Sequence, residues 1–153
     1  MKYRSPEAFK QAISERLKEM AQIRKVPLLR LQTRFLFERL LVRVQAAFPD
    51  VTVKGGAALE FRLAVARVTK DLDLGLQGVP SEMVLPRLQR AAQSDFGDWI
   101  RFLIEDHPDY PELQTDGLRY TGRRLRVPGP AGRPPALWGL RARRCRRRNF
   151  RCF

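Results

Sequence analysis

Acidic residues stop at Asp116. From Gly117 to the end the chain carries 12 arginines and neither Asp nor Glu. Cysteine is scarce as well: the two cysteines, Cys145 and Cys152, both fall in the last nine residues, with no cysteine or histidine cluster beside them. That excludes a disulfide framework or a structural zinc site as the organising device and makes a cytoplasmic location the default expectation. The one histidine, His107, sits in His107-Pro108-Asp109-Tyr110-Pro111, where a loop residue is a better reading than a catalyst. No apolar run approaches the roughly 20 residues of a membrane span, and the N-terminus lacks a signal-peptide core. There is no internal repeat and no flexible linker.

What is present describes one globular domain. The 153 residues are 44% hydrophobic and 30% charged, enough to bury a sizeable core. The net charge of +14 invites a nucleic-acid reading, but its distribution is uneven. Up to Asp116 there are 18 Lys and Arg against 16 Asp and Glu, so the excess belongs to the tail. Residues Arg133 to Phe153, RPPALWGLRARRCRRRNFRCF, contain no Lys, Asp, Glu, Ile or Val. Two readings stand. The segment is an arginine-rich arm that binds nucleic acid, or the reading frame has shifted near Pro128 to Pro135; the absence of periodic or turn logic favours the shift. The division expected is 1–130, an incomplete domain, and 131–153, an arginine-rich tail that is disordered or out of frame.

Ser5-Pro6 predicts a helix start, with Ser as N-cap and Pro at the first helical position. Phe9, Ile13, Leu17 and Met20 recur at helical spacing as far as about Lys25, and Val26-Pro27 interrupts them. A second helix is predicted from about Leu28 to Phe48. Its Arg30, Arg34, Arg39 and Arg43 read as a solvated face rather than an RNA-binding stripe. Pro49-Asp50 turns into a first strand. Further on, Ser81 is expected to cap a helix to about Ala92 with Pro86 in its early turns, and Asp95 to Asp98 a turn. Trp99 to Ile104 and Leu118 to Val127 are expected as the third and fourth strands.

Chemistry concentrates in Lys54 to Leu76, KGGAALEFRLAVARVTKDLDLGL. Gly55 and Gly56 follow the β-rich run Val51-Thr52-Val53 and open a helical pattern. Glycine lets a backbone approach a phosphate closely, and a helix start offers unpaired N–H groups to an anion. Asp71 and Asp73 alternate with Leu72, Leu74 and Leu76, so on a strand both aspartates share one face and the leucines fill the other. Two carboxylates side by side repel unless protonated or bridged by a cation, and Mg²⁺ is typically held by one or two carboxylates plus substrate phosphates. Strand, Gly-Gly, short helix, then Asp-x-Asp on a second strand outlines a metal-dependent phosphoryl or nucleotidyl transfer site.

In that order the stretch resembles the nucleotidyltransferase superfamily, in particular the abortive-infection AbiEii-type toxins of toxin–antitoxin pairs. The matching residues are Lys54-Gly55-Gly56-Ala57-Ala58-Leu59 and Arg67-Val68-Thr69-Lys70-Asp71-Leu72-Asp73-Leu74, and with the helical lead-in the resemblance spans roughly 25 to 127. It departs at Ala57, where the family usually has a small hydroxyl residue. The resemblance implies an α/β fold: a short mixed sheet with flanking helices, preceded by two N-terminal helices. It implies transfer of a nucleoside monophosphate from an NTP to an RNA acceptor, tRNA foremost, with a cognate antitoxin as partner. Asp71 and Asp73 would be catalytic and hold Mg²⁺; Gly55, Gly56, Lys54 and Lys70 would contact the nucleotide. For the two lysines and Arg67 a structural or solvated role stays open beside phosphate binding. Enzymes of this kind generally add a third carboxylate from a later strand, which would follow Val127, where no acid occurs. Asp116 and Glu105 are poor substitutes. The expectation is therefore a truncated or frame-shifted member with weak or no activity. The alternatives are an inactive remnant and a basic nucleic-acid-binding protein acting through its tail.

Overall fold

The computed structural model describes the backbone of residues 3–63, 69, 71–106, 112–113, 117–124 and 138–144, and the side chains of 3–63, 69 and 71–105. The elements follow the order α1 (Pro6–Arg24), α2 (Leu28–Ala47), β1 (Thr52–Lys54), α3 (Gly55–Arg62), β2 (Asp71–Leu76), α4 (Ser81–Gln93), β3 (Phe102–Asp106), β4 (Glu112–Leu113), β5 (Gly117–Arg124) and β6 (Trp138–Arg144). The sheet runs β1-β2-β6-β5-β3, with β4 paired to β5. It is mixed: β2 and β6 are parallel, and the other pairs are antiparallel. The α/β class with two leading helices is therefore as the sequence predicts.

Local chemistry explains the lead-in. Ser5 Oγ accepts the Ala8 N–H at 3.2 Å and Pro6 occupies the first helical position. Lys25, in the left-handed region at φ 52°, closes α1 by donating its N–H to the Ala21 and Gln22 carbonyls. The apolar stripe of α1 is an outer layer: none of its residues is fully buried, and Phe9 packs partly against the core.

The core lies on one face of the sheet. Leu72, Leu74 and Leu76 of β2 and Phe102 and Ile104 of β3 meet Phe37, Leu40 and Val44 of α2 and Val84, Leu88 and Ala92 of α4. The period of two along β2 separates those leucines from Asp71 and Asp73, which are only half-buried. Ala57, where the family resemblance breaks, is buried in the same core. A methyl there fills space among apolar groups and has no contact to offer a ligand.

Three expectations change in the structure. The solvated arginine face is the largest correction. Arg43 is completely buried and all five of its N–H donors are used: Nε to the Ser94 carbonyl, Nη1 to the Arg39 carbonyl and Asp98 Oδ2, Nη2 to Asp98 Oδ1 and the Ile100 carbonyl, at 2.5–3.1 Å. The Phe96 and Phe102 rings lie 5.1 and 5.5 Å from its guanidinium carbon. This side chain ties α2 to the connection between α4 and β3. Second, β3 begins at Phe102 rather than Trp99. Trp99 has φ 56°, and the Ile100 N–H and C=O are taken by Asp98 and Arg43, so neither serves a strand ladder. Third, Ser81 is the first helical residue of α4; Pro80 holds the N-cap position, without a side-chain cap.

The fourth predicted strand appears as β5, and its last expected residues, 125–127, lie outside the described ones. Seven residues of the arginine-rich segment form β6, between β2 and β5. The alternation of Trp138, Leu140 and Ala142 with Gly139, Arg141 and Arg143 has the period of a strand, which the density of arginine concealed. His107, Cys145 and Cys152 lie outside the described residues.

The Arg43–Asp98 pair yields a stability prediction. Asp98→Ala leaves a buried guanidinium without its counter-ion and should lower the unfolding free energy by about 3–5 kcal/mol. The Arg43→Met/Asp98→Leu double variant should lose much less, and urea unfolding of both variants measures the difference.

Candidate metal and nucleotide site

The site forms where β1 ends. Lys54 is the Cα partner of Asp73 and Thr52 that of Gly75. One residue later Gly55, at φ 61°, turns the chain into α3. Positive φ favours glycine, and a second constraint acts at the same position. A Cβ on Gly55 would overlap Oδ2 of Asp73. The carboxylate thus lies directly against the backbone that opens α3. Gly56 is held similarly: a Cβ there would come within 3.2 Å of Cβ and Oγ1 of Thr69. Side chains of the site itself thus demand glycine at 55 and leave little room at 56, whatever ligand the pair also admits.

Asp71 and Asp73 follow the pleat onto one face of β2, and the next residue of that parity is Gly75. Lys54 uses the gap. A Cβ on Gly75 would meet Lys54 Cε at 2.7 Å and Nζ at 3.1 Å, so the lysine stem lies across the glycine. Its ammonium group is therefore on the aspartate side of the strand. Lys70 and Arg67 lie outside the described residues.

A half-buried polar network centred on the buried Glu60 adjoins Asp71. Glu60 of α3 is 5% exposed. Its Oε1 accepts Arg30 Nε at 3.1 Å and its Oε2 accepts the Thr69 N–H at 3.1 Å. Thr69 Oγ1 in turn accepts the Asp71 N–H at 3.2 Å and donates to the Asp71 carbonyl at 3.1 Å. Arg34 reaches the Glu60 carbonyl at 3.4 Å and bonds Glu38 at 2.9 Å, with its guanidinium carbon 5.5 Å from the Phe61 ring centre. Arg30 and Arg34 therefore fasten α2 to α3, a second correction to the solvated stripe. Sequence reasoning missed Glu60, Arg30, Thr69 and Gly75 as parts of this region. Gly75 and Thr69 had a signal, their shared parity with Asp71 and Asp73.

Does the donor set suit a divalent cation? Among the described residues no three of His, Cys, Asp and Glu gather as ligands, which leaves the two carboxylates. Two acidic oxygen donors suit Mg²⁺, which keeps waters and takes the rest of its shell from substrate phosphates. The glycine-lined start of α3 lies beside them, with the Asp73 carboxylate packed on Gly55 and Thr69 on Gly56. No third carboxylate comes from the described sheet. Asp71 and Asp73 are the Cα partners of Gly139 and Arg141 in β6. Glu105 of β3 is separated from β2 by β6 and β5, about 14 Å at the usual strand spacing. Asp116 lies outside the described residues.

A mixed α/β sheet of this order, with Gly-Gly and Asp-x-Asp brought together, is the arrangement expected of a nucleotidyltransferase-type domain. The profile of the AbiEii nucleotidyl transferase toxin of type IV toxin–antitoxin systems matches residues 39–137, and the chain belongs to that family. The match begins within α2, later than the sequence resemblance suggests, and ends immediately before β6. No curated protein matches the chain. Membership implies a nucleotide substrate and a cognate antitoxin. Among the described residues no helix is long and apolar enough to cross a membrane.

Gly55 offers a direct check on this geometry. Gly55→Ala should cost about 1–3 kcal/mol from its positive φ alone, plus the overlap with Asp73. The overlap part should vanish in the Gly55→Ala/Asp73→Ala double variant, giving a coupling of at least about 0.5 kcal/mol in thermal unfolding.

Proposed function

We propose that the protein transfers a nucleoside monophosphate from an NTP to a hydroxyl of an RNA acceptor, with tRNA the foremost candidate, in the cytoplasm, and that its activity is weak. The observation supporting this reading is the contact of Asp73 with Gly55. It puts a glycine-lined helix start, suited to phosphate oxygens, against a carboxylate pair suited to a divalent cation.

Within that reading each residue has one task. Asp71 and Asp73 hold Mg²⁺ through their carboxylate oxygens. When bound, Mg²⁺ neutralises the triphosphate and favours attack by the acceptor hydroxyl. Gly55 and Gly56 receive the β- and γ-phosphates on backbone N–H groups. Lys54 lies across Gly75 on the same side of β2 and adds a positive charge to the phosphates. Lys70 is assigned a phosphate contact by resemblance alone. In the reaction the acceptor hydroxyl loses its proton to water as its oxygen bonds to the α-phosphorus, and the bond to the β-phosphate oxygen breaks, releasing pyrophosphate.

The weakness of the activity is argued from β6. Its residues paired with Asp71 and Asp73 are glycine and arginine, where a further carboxylate would strengthen the metal site.

Incubation with each α-labelled NTP, tRNA and Mg²⁺ tests the reading. Low labelling of RNA is expected, falling to background in Asp71→Ala and Asp73→Ala and rising in Arg141→Asp. Labelling that survives both alanine variants, or that is absent from the unsubstituted protein and from Arg141→Asp alike, contradicts it.

A further inference from the structure

Glu60 is an odd residue to bury on a short helix unless it performs a task that an apolar residue cannot. Burial of a carboxylate is costly, and Arg30 offsets it, with the two side chains 6% and 15% exposed. Such a pair is often replaceable by apolar residues without loss of stability, so stability alone is a weak reason for its presence. What an apolar side chain cannot do is accept the Thr69 N–H, which Oε2 of Glu60 does.

Thr69 carries the constraint onward. Its hydroxyl brackets both backbone groups of Asp71, a local side-chain turn at the entry of β2. Its Cβ and Oγ1 also rest against the position that a Gly56 side chain would occupy. Thr69 is thus wedged between the first turn of α3 and the first residue of β2. Asp73 is fixed independently, by pairing with Lys54 and by contact with Gly55.

We propose that Glu60, braced by Arg30, is a positioning residue that acts through Thr69 to set Asp71 at the correct distance from the start of α3. This rests on the reading of Asp71 and Asp73 as the metal pair. Glu60 and Gly55 belong to one eight-residue helix, so the helix that would receive the phosphates also sets the far carboxylate. The phosphate and cation halves of the site then move together. Arg30 lies outside the segment that matches the family, so the brace comes from the N-terminal part of α2.

Mn²⁺ alone, titrated into the full chain and followed by the resonance of the free ion, provides the first readout. The second is hydrogen exchange of the Asp71 and Asp73 amides. Thr69→Val should weaken Mn²⁺ binding about ten- to a hundredfold and speed exchange at Asp71 but not at Asp73. Thr69→Ser, which keeps the hydroxyl, should bind Mn²⁺ within about twofold of the unsubstituted protein by the same reasoning. Glu60→Gln should fall between them. Should Glu60→Gln fail to fold, the two Thr69 variants still decide. Binding unchanged in Thr69→Val but lost in Asp71→Ala overturns the positioning role and leaves the metal pair standing. If Asp71→Ala and Asp73→Ala bind Mn²⁺ as the unsubstituted protein does, the metal reading fails. The positioning role, which rests on that pair, then fails with it, whatever the exchange at Asp71.

Discussion

The site depends on one close approach, that of the Asp73 carboxylate to the backbone of Gly55. A three-residue strand and a six-residue strand pair antiparallel, and the shorter one must reverse into a helix at the point where its partner presents an acid. Only a residue without Cβ fits there, and only glycine takes the positive φ without strain. The same contact gives the site its electrostatic character. A negative carboxylate is held against the start of a helix, whose exposed N–H groups favour anions.

Around that contact the molecule is braced twice by arginines, one buried and one half-buried, and both braces reach across from α2. Arg43 secures the α4–β3 connection through Asp98, behind the core that supports β2. Arg30 secures α3 through Glu60, beside the aspartates. The core leucines of β2 are thus covered by helices whose positions are set by ion pairs, while the opposite face of that strand carries Asp71, Asp73 and the glycine crossed by Lys54. The division of labour follows from the period of two along six residues.

What could be read from the sequence was whatever is encoded locally. Ser5-Pro6 starts a helix by its own chemistry, and the alternation from Asp71 to Leu76 forces aspartates and leucines apart on any strand. Gly55-Gly56 between a β-rich run and a helical pattern marked the turn. What escaped depended on partners far along the chain. Arg43 looks like any solvated arginine until Asp98, 55 residues away, is brought beneath it, and Arg30 is separated from Glu60 by 30 residues. Thr69 was visible only as part of a motif and by its parity with the aspartates. Its role comes from touching Gly56, Glu60 and Asp71 together. β6 was hidden for a different reason: its alternation is written in Trp, Leu and Ala amid arginines, and composition outweighed period.

The central claim is that the start of α3 and the aspartates of β2 are one ligand site. Paramagnetic broadening of backbone amides by substoichiometric Mn²⁺ with ATP tests it most directly, because the effect falls off steeply with distance from the ion. The account predicts selective loss of the Gly55, Gly56, Asp71 and Asp73 amide signals, abolished by Asp73→Ala. Broadening confined to the arginine-rich C-terminal segment, with those four signals intact, would contradict it.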